Sequence, residues 1–141
     1  MNDWEHRLSA AGYRVTAPRR AVMQVMLDTR TPLPPQKIFE RGQSAHPKLG
    51  LVTVYRALAL LEGLNLVRRI HCDAGCHGYV LASPGHRHHI ICRKCGRTAE
   101  FEGSGDLDTL AVQVEQSTDY RVDEHLLQLS GLCPNCQEAE V

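Results

Sequence analysis

No stretch of the 141 residues stays apolar long enough to span a membrane, and no internal repeat or low-complexity tract is present. The opening residues, Met1-Asn2-Asp3-Trp4-Glu5-His6, have no basic segment followed by an apolar run. No secretory leader is therefore read there, and a cytoplasmic protein with no membrane partner is expected. Net charge is also missing, since 16 Lys and Arg balance 16 Asp and Glu. With 43% hydrophobic and 23% charged residues the composition excludes a disordered chain. His-x-Glu does not occur anywhere, and the proline near the second cysteine pair lies inside it rather than before it. A zinc deaminase would need both features, so that enzyme class is set aside.

What is present is divided unevenly. Residues 1–82 hold eleven Lys and Arg against six acids, and residues 83–141 hold five against ten. A basic half suits a polyanion, and an acidic half carries carboxylates suited to cations. Six cysteines in an expected reducing compartment, four of them in Cys-x-x-Cys pairs, argue for metal ligation rather than disulfides.

The basic half reads as short helices followed by a hairpin. Trp4, Leu8 and Ala11 share helical spacing over Glu5 to Ala11, and Gly12 is placed to end that helix. Thr16 before Ala17-Pro18 is an N-cap signal, opening a second helix with Val22, Val25 and Met26 as its apolar stripe through Asp28. A third helix contains Ile38 and Phe39 and ends before His46-Pro47. From Leu51, the residues Val54, Ala57, Leu58 and Leu61 give a buried stripe that leaves Thr53, Tyr55 and Arg56 outside it, as on a recognition helix. Leu66–His71 and Gly78–Leu81 read as strands around an Asp73-Ala74-Gly75 turn, which completes a winged helix.

Ser83-Pro84-Gly85 marks a linker where the charge changes sign. The expected organisation is α+β: a winged-helix DNA-binding domain over 1–82, a linker over 83–85, and a small α/β dimerisation and metal-binding domain over 86–141. In the latter, strands are expected at His86–Cys92, Thr98–Glu102 and Arg121–Leu129. A helix from Asp106 to about Ser117 should turn Leu107, Leu110 and Val114 inward. Large apolar groups are few here, so pairing with a second copy is expected to finish the core.

The run His86-Arg87-His88-His89-Ile90-Ile91-Cys92-Arg93-Lys94-Cys95 concentrates ligands. With Cys133-Pro134-Asn135-Cys136 it supplies the four thiolates of a closed tetrahedral zinc site, which leaves no coordination position open for catalysis. Gly96 provides the positive φ that such a knuckle often needs. Strand parity puts His86 and His88 on one face, Arg87 and His89 on the other.

Gly12-Tyr13-Arg14-Val15-Thr16-Ala17-Pro18-Arg19-Arg20, Thr53-Val54-Tyr55-Arg56-Ala57-Leu58, the histidine-rich run and the two cysteine pairs together resemble the ferric uptake regulator family, most of all its zinc uptake branch. The resemblance runs from about residue 7 to residue 136. It implies a homodimeric, metal-responsive repressor of metal homeostasis that binds an A·T-rich, pseudo-palindromic duplex operator. It further implies structural Zn²⁺ on Cys92, Cys95, Cys133 and Cys136, and a second divalent metal, Zn²⁺ or else Fe²⁺ or Mn²⁺, on His86, His88, Asp108 and His125. Tyr55 and Arg56, with Thr53, are expected to read bases, and Arg14 to enter a minor groove. Arg19, Arg20, Arg68 and Arg69 are expected on phosphates.

The second face departs from the family. Arg87 stands where most members carry a histidine, and Val80 and Ala82 stand where some carry a carboxylate or a cysteine. The usual interdomain sensory site therefore lacks its ligands. Cys72 and Cys76, with His89 and possible help from His71 or His77, are the candidates for a relocated one, and thiolates would tilt it toward zinc. The rival is a peroxide or redox sensor of the same family that uses Cys72 and Cys76 directly.

Overall fold

A computed structural model describes residues 2–72, 77–83, 87–103 and 106–139. His86, Cys76, the Asp73–Gly75 turn and Pro84-Gly85 of the linker lie outside the described residues. Among the described residues no helix is long and apolar enough to cross a membrane.

The N-terminal part is built from α1 (Asp3–Ala10), α2 (Ala17–Leu27), α3 (Pro35–Gly42) and α4 (Leu51–Gly63), then β1 (Val67–His71) and β2 (His77–Leu81). The Thr16 side chain accepts the Arg19 backbone N–H at 3.3 Å, satisfying one orphan donor at the start of α2. Leu8, Val22, Met23, Met26, Ile38, Val54, Leu58 and Leu61 are all fully buried, so four short helices that could not persist alone share one core. The hairpin closes that core. Tyr79 exchanges both main-chain bonds with Leu33, and a Cβ at Gly78 would lie 2.4 Å from Pro32 Cβ and 2.9 Å from its carbonyl carbon, so only glycine permits this approach.

The C-terminal part is a three-stranded sheet of β3 (Arg87–Cys92), β4 (Thr98–Glu102) and β5 (Gln128–Gly131) in the order β4-β3-β5, with α5 (Asp106–Thr118) and α6 (Pro134–Ala139). β3 runs antiparallel to β4, setting His88 opposite Phe101 and His89 opposite Glu100. It runs parallel to β5, setting His89 beside Gln128.

Three sequence expectations change here. The last strand does not begin at Arg121: residues 121–127 are irregular and only Gln128–Gly131 pair. Local side chains hold that backbone instead, with Glu115 accepting from the Val122 amide at 3.3 Å and Arg121 bound to Asp123 at 2.8 Å. Leu110 and Val114 are not turned into a core within one chain but are 53% and 38% exposed. The helix α6 after the second cysteine pair was not anticipated.

Candidate metal sites and nucleic-acid interface

The turn after β3 brings Cys92 and Cys95 back on themselves. Gly96 adopts φ +81° and donates to the Cys92 carbonyl at 3.0 Å. Cys133, just after β5, and Cys136, on α6, meet them because β5 lies alongside β3. The four ligand sulfurs lie within 4.8 Å of one another, and Cys95 Sγ is 3.7 Å from Cys133 Sγ. Four thiolates at about 2.3 Å from a tetrahedral zinc are spaced about 3.8 Å apart, whereas a disulfide needs about 2.05 Å. The donors fit zinc. Backbone N–H groups already favour negative charge there: that of Cys95 first, helped by those of Cys133 and Lys94, draws the Cys92 thiol down to about 5. The Cys136 backbone lowers Cys133 in the same way, and Cys136, hydrogen-bonded to the Cys133 sulfur, is pushed up to about 12. A bound cation would relieve that last penalty.

Along β3, Arg87 and His89 both approach Glu100, while His88 meets Phe101 and His125. On one side the buried His88 ring lies 5.6 Å from Phe101 and 5.1 Å from His125, centre to centre. Two imidazoles sharing a tetrahedral ion place their ring centres about 5 Å apart, a spacing that this tilted ring pair matches. Asp108 borders the same cavity as His125. Among the described residues only the four cysteines form a group of three or more ligands within 4.8 Å, so Asp108 does not close on His88 and His125 here. His86, the fourth expected ligand, lies outside the described residues.

The other side of β3 faces the seam between the two parts of the chain. His89 is buried at 2% exposure, with Nε2 3.7 Å from Glu100 Oε1. Its pKa is lowered, first by burial and then by the Arg68 charge, against a smaller pull from Glu100, so the imidazole is neutral at neutral pH. Glu100 Oε1 also accepts the Ser83 amide at 2.9 Å, while Arg87 Nε lies 3.9 Å from Glu100 Oε2. Arg68 on β1 donates to the Arg87 carbonyl. Gln128 bonds both ways to the His71 main chain, accepting at 2.9 Å and donating at 2.8 Å, and so caps the edge of β1 as a strand would. Glu100 and Gln128 were missed as site residues. The alternation of Glu100 and Glu102 was readable, but the register that sets Glu100 opposite His89 was not.

Of the relocated site expected on Cys72, Cys76 and His89, Cys76 lies outside the described residues. Cys72 borders a cavity with His71, Cys92, Cys95 and Gln128, while His89 borders one with Val80, Leu81 and Glu100 and a second with His71, His77 and Gln128. The hairpin histidines do meet, as the cross-strand pair His71 and His77 with ring centres 5.5 Å apart.

On α4, Val54, Ala57, Leu58 and Leu61 are buried, which turns Tyr55 (53% exposed) and Arg56 to solvent and leaves Thr53 half-buried. Arg14 is exposed, and Arg19 bonds the Arg14 carbonyl at 2.8 Å while lying over the Tyr13 ring. Arg20, Arg68 and Arg69 have internal work: Arg20 pairs with Glu5, Arg68 holds Arg87, and Arg69 pairs with Glu62 and covers Tyr79.

Comparison with known proteins agrees with this arrangement. Residues 10–130 match the ferric uptake regulator family. The ferric uptake regulation protein of Legionella pneumophila is 30% identical over 136 residues, covering 93% of this chain and 96% of its own. Among solved structures, a zinc uptake regulator complexed with zinc and DNA superposes with a TM-score of 0.81 at 23% identity, covering 96% of this chain and 91% of that one; at this identity the likeness speaks for the fold alone. A ferric uptake regulator from Francisella tularensis with iron superposes at 0.61 with 28% identity, covering 89% and 96%. The chain belongs to the ferric uptake regulator family and is a metal-responsive transcriptional regulator, not an enzyme.

Proposed function

We propose that the protein is a homodimeric repressor of metal homeostasis genes, zinc uptake before iron uptake, that binds an A·T-rich, pseudo-palindromic operator in response to a divalent ion. The observation that carries the reading is the outward face of α4, where Tyr55 and Arg56 stand clear of a fully buried stripe on a chain that also holds a four-thiolate cluster. The tyrosine ring suits a thymine methyl, and the arginine a base edge or phosphate, with Thr53 beside them. Arg14 and Arg19 extend the cationic surface toward a minor groove and its phosphates.

Cys92, Cys95, Cys133 and Cys136 hold structural Zn²⁺. The regulatory ion sits on His88 and His125, with His86 and Asp108 completing it, and imidazole with carboxylate accepts Zn²⁺, Fe²⁺ or Mn²⁺. The ion acts by binding the DNA-competent arrangement more tightly, which raises DNA affinity by the same coupling, about 1–3 kcal/mol or roughly 5- to 150-fold.

The test is fluorescence anisotropy on an operator-length A·T-rich duplex at fixed low salt, with each metal in turn. Binding that rises with one metal and loses its metal dependence in His125→Ala is the expected result. A duplex left unbound with Zn²⁺, Fe²⁺ and Mn²⁺ alike would sink the reading.

A further inference from the structure

Building on the metal-responsive regulator just described, we infer that Arg87 is the resident cation of the seam between the two domains, so that the wing docks on the β4-β3-β5 sheet with no metal ion at that point. The seam converges on one carboxylate. Glu100 takes the Ser83 amide of the linker at 2.9 Å, faces His89 at 3.7 Å and lies 3.9 Å from the Arg87 guanidinium, whose far end is 4.0 Å from Glu102. The Arg87 main chain is in turn held by Arg68 from the wing, and Gln128 clasps His71.

Beside Glu100, the described lining is ill suited to a divalent ion. The cavity beside Glu100, about 280 Å³, is lined by His89 and Glu100 but also by Arg30 and Arg97, and Val80 contributes an apolar wall. Among the described residues this cavity offers one imidazole and one carboxylate, fewer protein ligands than the three or four of an ordinary zinc site. Arg87 and Arg68 flank them with charges that no physiological pH removes. A covalently attached cation is present at every metal concentration. It therefore contributes equally to the metal-loaded and metal-free states and transmits no signal, because an effector shifts an equilibrium only through differential binding. Exchangeable metal is left to the His88 and His125 side of the strand.

The experiment uses the full chain with its four-cysteine zinc in place. Amide hydrogen exchange is followed by NMR at Ser83 and His71, whose N–H groups are bound across the seam. Stripping exchangeable zinc with a chelator is expected to leave both rates within about twofold, whereas Arg87→Ala speeds Ser83 exchange by roughly tenfold and Arg87→Lys recovers part of the protection. Arg87→His places a third neutral donor beside His89 and Glu100; it should gain one chelatable zinc equivalent and make the protection zinc-dependent. The inference is overturned if chelation of the wild type exposes both amides, or if Glu100→Gln removes a zinc equivalent from it. Retained four-cysteine zinc certifies that each variant is folded. Failure to bind any operator duplex would sink the regulator reading, while the exchange pattern would still decide the role of Arg87.

Discussion

Tyr55 and Arg56 occupy adjacent positions on α4 and both face solvent, yet they are suited to different tasks. If Arg56 contacts a base edge, Arg56→Ala costs about 1–3 kcal/mol on the operator and less on a scrambled duplex of the same length; a phosphate contact instead costs the same on both. Anisotropy titrations on the two duplexes at matched salt distinguish these outcomes. Arg69→Ala is expected to change DNA affinity far less, because that guanidinium is spent on Glu62 and the Tyr79 ring. The contrast shows what residue type leaves open. An arginine in a basic half reads as a phosphate contact, and only the packed structure shows that Arg20, Arg68 and Arg69 are held by Glu5, the Arg87 carbonyl and Glu62.

At the scale of elements, the winged helix was legible because each helix carries its own stripe and stop signals. Thr16 capped α2 where the sequence placed it, and the four stripe positions of α4 are the four that are buried. Leu58→Ala should therefore destabilise the N-terminal domain by about 2–5 kcal/mol, the range for emptying a fully buried leucine site, with α4 melting in the same transition by circular dichroism. The end of the chain was less legible. Residues 121–129 alternate well enough to suggest a strand, but Glu115 and Asp123 bind the preceding backbone and side chains, and pairing starts only at Gln128. Periodicity reports which residues could share a face and not which backbone groups find partners. The cysteine pairs were legible for another reason: the spacing of Cys92, Cys95, Cys133 and Cys136 is fixed by the geometry of one ion and hardly depends on the rest of the fold.

For the molecule as a whole, apolar burial is strongly lopsided. Every buried hydrophobic residue among those described lies at or before Ala82, apart from Cys92. A sheet and two helices with so little core cannot offset the entropy of ordering their chain, so metal and a second copy must contribute the difference. Replacing Cys133 with serine should accordingly release zinc and unfold residues 87–139 while the N-terminal helices persist, seen as loss of the C-terminal amide signals alone by NMR. The second contribution is read from what remains uncovered: Leu110, Val112, Leu126 and Leu129 are 53%, 50%, 98% and 45% exposed, all on the acidic half. The family is one of dimers, and an isologous interface over these residues would cover the apolar surface of both copies at once. Leu129→Asp, on the strand at the sheet edge, and Leu126→Asp next to it are expected to shift sedimentation from dimer to monomer and to weaken operator binding more than either weakens zinc retention. If both variants sediment as the wild type does, the second copy docks elsewhere, and the exposed leucines need a different partner.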